Sequence, residues 1–123
     1  MSVTLDTGAL IALDRGSARL LALLDRISQR RQRILIPAGV VAQAWRGPRQ
    51  ARLARLLRSR EVDIVPLDEP AARAVGVLLG KSGTDDTVDA HVVVVALRAG
   101  SPVISSDPED LRRLHDRLDL HAI

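Results

Sequence analysis

The stretch TVDAHVVVVALRAG, residues 87 to 100, decides which fold the sequence predicts. Its four consecutive valines favour a β-strand, because branched side chains fit a pleated surface. The segment is longer than a typical strand, however, and it runs from a capping candidate at Asp86 to Gly100 at a plausible C′ position. It also lies between two short apolar runs, which need a crossover connection if they form parallel strands. We therefore predict a helix.

Short apolar runs alternate with amphipathic stretches along the rest of the chain. We predict strands at 3–5, 33–37, 62–66, 103–105 and, as a short last strand, 118–123. We predict helices at 7–13, from Ser17 to about 31, at 38–45, 49–59 and 70–79, and one that starts at Pro108 after Asp107. This alternation predicts one α/β domain over residues 1–123, with a mostly parallel central sheet and helices on both faces.

Composition narrows the class of protein. The chain has no cysteine, which excludes disulfide frameworks and thiolate metal sites and suits a reducing cytoplasm. No apolar run approaches the roughly 20 residues that span a bilayer. We expect a soluble, cytoplasmic protein without membrane contact.

The charge favours polyanionic partners. The formal net charge is +3, and all but one of the 18 basic residues are arginine, whose guanidinium group matches phosphate geometry. Trp45 is the only aromatic residue, so RNA-binding modules that stack bases on several aromatic rings are excluded.

Three aspartates occupy positions where ligands bind in parallel sheets. Asp6 follows the first predicted strand, Asp107 follows the fourth, and Asp89 lies in the first turn of the long helix. If the first and fourth strands are neighbours, the three carboxylates converge, and clustered carboxylates suit hard ions such as Mg²⁺ or Mn²⁺. Each aspartate taken alone is better explained as a helix cap or a dipole-stabilised residue, and their joint placement is what favours a metal site. Both interpretations stay open at this point.

Several segments together resemble the PIN domain, and more closely the VapC toxins of type II toxin–antitoxin pairs. The resemblance covers essentially the whole chain. It is carried by LDTGALIAL (5–13), AWRGPRQARLARLL (44–57), VDIVPLDEPAARAVGVLLG (62–80), VDAHVVVVALRAG (88–100) and VISSDPEDLRRL (103–114).

The resemblance implies a PIN-like three-layer fold and an activity. It implies a Mg²⁺- or Mn²⁺-dependent endoribonuclease that hydrolyses RNA phosphodiester bonds, forms a homodimer and is neutralised by a cognate VapB-like antitoxin. Matched by position, Asp6, Asp89 and Asp107 become the catalytic and metal-binding residues, and Asp86 adds an outer contact. The family usually has a glutamate where this chain has Gln43, and glutamine carries no charge and cannot act as a base.

Residues near Gln43 are weaker candidates. Trp45, Arg46, Arg49 and Arg52 could contact RNA or antitoxin. A packing role is favoured for Trp45, a solvated face is the default for Arg49 and Arg52, and the two explanations are balanced for Arg46. The substitution at Gln43 also motivates an alternative function. In that alternative, the chain is a catalytically weakened or inactive PIN module that binds RNA or a partner protein.

Overall fold

Five strands alternate with seven helices in the computed structural model, which describes residues 1–123. The strands are β1 (Ser2–Leu5), β2 (Arg33–Pro37), β3 (Val62–Val65), β4 (Val103–Ser105) and β5 (Leu120–Ala122). The helices are α1 (Thr7–Asp14), α2 (Ala18–Gln29), α3 (Ala38–Ala44), α4 (Ala51–Leu57), α5 (Glu69–Ser82), α6 (Thr87–Ala99) and α7 (Pro108–Leu114). Every predicted element is present, and only the ends differ. The largest differences are in α4, which is shorter than predicted, and α5, which is longer.

The valine-rich stretch is the helix α6, as predicted. Asp86 caps it by accepting a hydrogen bond from the Asp89 amide at 2.9 Å, and Gly100 ends it in the left-handed conformation with φ 61°. All side chains from Ala90 to Ala96 are buried. A helix that is apolar on all sides gains its stability from burial, which outweighs the strand propensity of its valines.

The five strands form one sheet in the order β3-β2-β1-β4-β5, and every neighbouring pair is parallel. The predicted sheet is therefore confirmed and is parallel throughout. The chain extends the sheet in one direction from β1 to β3 and then crosses to the other side of β1 for β4. This reversal makes the junction of β1 and β4 a topological switch point, where α/β proteins bind ligands beside the carboxyl ends of the strands.

Helices cover both faces of the sheet and complete three layers. On one face α6 contacts β1 and β2 and packs against α5 and α7, whereas α2 and α4 pack with α1 on the other face. One buried apolar cluster joins these layers and includes Leu5, Ile36 and Val93. None of the seven helices combines the length and the apolar character that a membrane-spanning helix needs.

Candidate acidic site

The junction of β1 and β4 brings two predicted site residues to the side of the sheet where the carboxyl ends of the strands lie. Leu5 is paired with Ile104, so Asp6 and Asp107 leave the sheet from adjacent strands. The Asp6 amide extends this pairing by donating a hydrogen bond to the Ile104 carbonyl at 3.3 Å.

Asp6 is buried, with 6% of its surface exposed, and its carboxylate is held in place. One carboxylate oxygen accepts a hydrogen bond from the Ala9 amide at 2.9 Å and thereby caps α1. Burial raises the pKa of Asp6 above its ordinary value, the Ser105 hydroxyl and the Ala9 amide oppose the rise, and the charge of Asp107 adds to it. Asp6 is therefore both a helix cap and a carboxylate that a cation would stabilise.

Asp107 differs, because it is exposed and its side chain caps nothing. It occupies the position before α7, but no amide of that helix donates to its carboxylate. Its own amide donates to the Ser105 hydroxyl at 2.9 Å, and a hydrogen bond to its carboxyl raises the pKa of Asp110. The cap interpretation is therefore wrong for the Asp107 side chain.

Asp89 experiences the combined charge of the site. Burial, followed by the charges of Asp86, Asp6, Asp110 and Asp107, raises its pKa from 3.8 to about 6. These contributions come from three separate regions of the chain: the end of β1, the start of α6 and the segment after β4. The fold thus gathers negative charge around the first turn of α6.

Asp86 has a defined structural role, since its carboxylate caps α6 through the Asp89 amide. It also raises the pKa of Asp89 as the second-largest cause after burial. One residue therefore fixes the helix start and adds charge to the site.

Gln43 on α3 is linked to the acidic edge through a residue that sequence reasoning missed. The Thr7 hydroxyl donates a hydrogen bond of 2.5 Å to the Gln43 side-chain carbonyl. Thr7 directly follows Asp6, so this bond joins α3 to the segment that carries Asp6. The position of Thr7 next to Asp6 was the only sequence signal for this role.

Gly8 allows the segments after β1 and β4 to approach closely. A Cβ atom on Gly8 would lie 1.8 Å from the Ser106 hydroxyl oxygen, which is far inside van der Waals contact. Ser106, which follows β4, therefore occupies space that a side chain at position 8, just after β1, would need. The Ser105 hydroxyl also links the two segments, because it accepts from the Asp107 amide and lowers the pKa of Asp6.

The residues suit a hard divalent ion by their chemistry. They are carboxylates that raise one another's pKa values, and oxygen ligands with surplus negative charge are those that Mg²⁺ and Mn²⁺ prefer. As the side chains lie, no three histidine, aspartate or glutamate residues are arranged to hold one metal ion.

Four residues near α3 and α4 were predicted as weak candidates for RNA or antitoxin contact, and the structure gives them different surroundings. Trp45 packs against the apolar core. The Arg46 guanidinium turns back and donates to the Ala42 and Trp45 carbonyls at 3.2 and 2.8 Å, so it satisfies the end of α3. Arg52 donates to the Asp14 carbonyl at 3.4 Å, whereas Arg49 is exposed and forms no ion pair.

The sequence matches the PIN domain family over residues 3–116. The chain belongs to this family. No individual curated protein matches it significantly.

Solved structures share the fold. The VapBC2 complex of Rickettsia felis, bound to a DNA fragment from its promoter, contains a chain with 15% identity and a TM-score of 0.70, covering 100% of this chain and 99% of that one. FitAcB from Neisseria gonorrhoeae gives 20% identity and a TM-score of 0.66, covering 96% and 95%. VapC20 of Mycobacterium tuberculosis, a toxin that cleaves the sarcin-ricin loop, gives 20% and 0.63, covering 85% and 88%.

Proposed function

We propose that this protein, a single PIN domain over residues 1–123, is the endoribonuclease toxin of a VapBC-type toxin–antitoxin pair. Asp6, Asp89 and Asp107 are the catalytic residues and hold Mg²⁺ or Mn²⁺, which would supply Lewis-acid activation of an RNA phosphodiester. The protein acts in the cytoplasm as a homodimer, and a cognate VapB-like antitoxin neutralises it. The names of the VapBC2 and VapC20 structures support the toxin class.

The observation that carries the proposal is the gathering of carboxylates from three separate segments around Asp89, whose charges, together with burial, raise its pKa to about 6. Helix capping explains Asp86 and Asp6 but not the gathering of further acidic side chains around Asp89. The accumulated repulsion costs stability in the metal-free protein, and a bound divalent ion would remove that cost.

The antitoxin proposal is supported by an apolar groove next to the arginine-rich helix α4. Leu21, Leu24 and Leu56 line this groove of about 230 Å³, together with Arg52 and Arg55. An apolar segment that carries acidic side chains complements both features. The groove thus fits the kind of segment by which a small antitoxin could hold the toxin.

RNA cleavage tests the enzymatic proposal. We expect purified protein, freed of antitoxin, to cut single-stranded RNA when Mn²⁺ or Mg²⁺ is present and to stop when EDTA is added. The matched control is Asp6→Asn, because asparagine retains the ability to cap α1. If the wild-type protein and the Asp6→Asn variant give the same RNA pattern in Mn²⁺, the proposed activity is wrong.

Gln43 supports a second candidate, an inactive PIN module that binds RNA or a partner protein. Its carbonyl oxygen is engaged by Thr7, and the fourth acidic position of the family lacks a charge here. Mn²⁺ titration separates the two candidates. An enzyme binds the ion at the acidic edge, whereas a binding module retains RNA or partner affinity without it.

A further inference from the structure

A cavity separate from the acidic site lies between α2 and the strands β1, β4 and β5. Its volume is about 280 Å³, and its apolar surface includes Val3, Leu23 and Ile104. Val3 and Pro102 lie at the amino-terminal ends of β1 and β4, whereas Asp6 and Asp107 follow the carboxyl-terminal ends of the same strands. The cavity is therefore displaced along the sheet from the acidic edge.

The polar residues of the cavity are basic or neutral. Arg26, Arg30, Gln32 and His121 complete its lining, and no lining residue is acidic. The nearest carboxylate to His121 is that of Asp119, at 3.9 Å, which lies outside the lining.

Neither of the two lining arginines is paired with a carboxylate, a property that they share with most arginines of the chain. Arg33, Arg73, Arg112 and Arg113 each form an ion pair with a carboxylate, as the distances of 2.5 to 3.6 Å show. Arg26 and Arg30 form neither an ion pair nor a side-chain hydrogen bond. Arg26 lies in the last turn of α2, where its charge complements the helix dipole, but Arg30 lies one residue beyond the helix. Both guanidinium groups are therefore available to an anion.

From these features we infer that the cavity binds one nucleotide, with the base on the apolar floor and the phosphate at Arg26 and Arg30. Guanidinium groups bind phosphate oxygens through paired hydrogen bonds, and the Gln32 amide can both donate to and accept from a base edge. The cavity, at about 280 Å³, is slightly smaller than most ligand pockets, so it can hold no more than a single nucleotide. The nucleotide is either free or part of an RNA chain, and the second source rests on the proposed ribonuclease function.

The test uses the whole protein and adenosine 5′-monophosphate, in EDTA so that the acidic site contributes no metal-dependent binding. Amide NMR shifts should change at Val3, Leu23 and His121. The double variant Arg26→Gln/Arg30→Gln should bind at least about tenfold more weakly, because each charged hydrogen bond contributes that much. The matched control is Arg19→Gln, which removes the same charge from the same helix outside the cavity and should change affinity less than about twofold.

A second arm identifies the source of the nucleotide. A labelled single-stranded RNA of about ten nucleotides is titrated against Asp6→Asn protein in EDTA, with and without the double substitution. If RNA occupies the cavity, the salt dependence of the binding constant falls by about 0.7 in slope for each phosphate that the double variant no longer binds. If RNA binding is unchanged while monophosphate binding disappears, the cavity is a free-nucleotide site. Both outcomes support a nucleotide ligand.

The inference is overturned if Arg19→Gln weakens binding as much as the double variant, because the attraction would then be general. It is also overturned if the shifts map to Asp6 and Asp89 instead, or if an acidic peptide binds the cavity and the monophosphate does not. Since all binding is measured in EDTA, these results do not depend on whether the protein cleaves RNA in Mn²⁺.

Discussion

The ends of β1 and β4 lie side by side, yet their aspartates are used differently. Asp6 is buried and its carboxylate caps α1, whereas Asp107 is exposed and its carboxylate caps nothing. Asp6 combines a structural role with the proposed metal-binding role, and Asp107 has only the second. We therefore expect substitution of Asp6 to affect both folding stability and activity, whereas substitution of Asp107 should affect activity alone.

The largest effect is expected at Asp6. Both Asp6→Ala and Asp6→Asn should lower RNA cleavage at least about 100-fold, because each removes a carboxylate that we propose binds the metal ion. Only Asp6→Ala should also lower the free energy of unfolding by removing the helix cap, by about 1 kcal/mol, since asparagine caps as well as aspartate. Cleavage assays and urea unfolding measure the two effects. Equal stability of the two variants would show that the cap contributes nothing.

Asp107 tests the other half of the comparison. Asp107→Asn should lower cleavage at least about tenfold and leave the free energy of unfolding within about 0.5 kcal/mol of wild type. The same two measurements apply. Full activity in this variant would show that Asp107 is not part of the site. A large loss of stability would show that the aspartates after β1 and β4 do not differ in their structural roles.

Gln43 offers a gain of function. Gln43→Glu should raise Mn²⁺ affinity and cleavage by about tenfold, because it adds a carboxylate beside Thr7. Isothermal titration calorimetry and cleavage rates measure the change. Gln43→Ala is the control, since it removes the Thr7 bond without adding charge. Unchanged affinity in Gln43→Glu would place position 43 outside the metal site.

The smallest effect is a pH dependence of stability in the metal-free protein. The pKa of Asp89 is about 6 in the folded state, above its ordinary 3.8, so protonation favours folding. The stabilisation is complete below pH 3.8 and is lost as the pH rises through about 6. Relative to Asp89→Asn, the wild-type melting temperature should fall by a few degrees between about pH 5 and about pH 7.5. Parallel pH profiles of the two proteins would contradict this.

The sequence was sufficient to predict the elements of the fold but not how each aspartate is used. Capping residues at Asp86 and Gly100 outweighed the four valines and correctly predicted α6. The same local rule treats Asp6 and Asp107 alike, because both stand before a helix. The interaction of Asp6 with the Ser105 hydroxyl, which lies on a neighbouring strand about 100 positions later, is a tertiary contact that no local pattern contains.

The link between Thr7 and Gln43 was also beyond the sequence. The two residues are 36 positions apart, and their hydrogen bond depends on how α1 and α3 pack. Likewise, β1 pairs with β4 because, after β3, the chain returns across the sheet and adds β4 on the other side of β1. From the sequence, the acidic site could be predicted only on the condition that β1 and β4 are neighbours. The structure shows that they are.

The most direct test of the metal site is a Mn²⁺ titration followed by electron paramagnetic resonance. We predict saturable binding to the wild-type protein at about pH 7.5 that weakens at about pH 5, where Asp89 is protonated. Binding should disappear in Asp6→Asn, Asp89→Asn and Asp107→Asn. Unchanged Mn²⁺ affinity in these three variants, or no Mn²⁺ binding by the wild-type protein, would contradict a shared ion at the junction of β1 and β4.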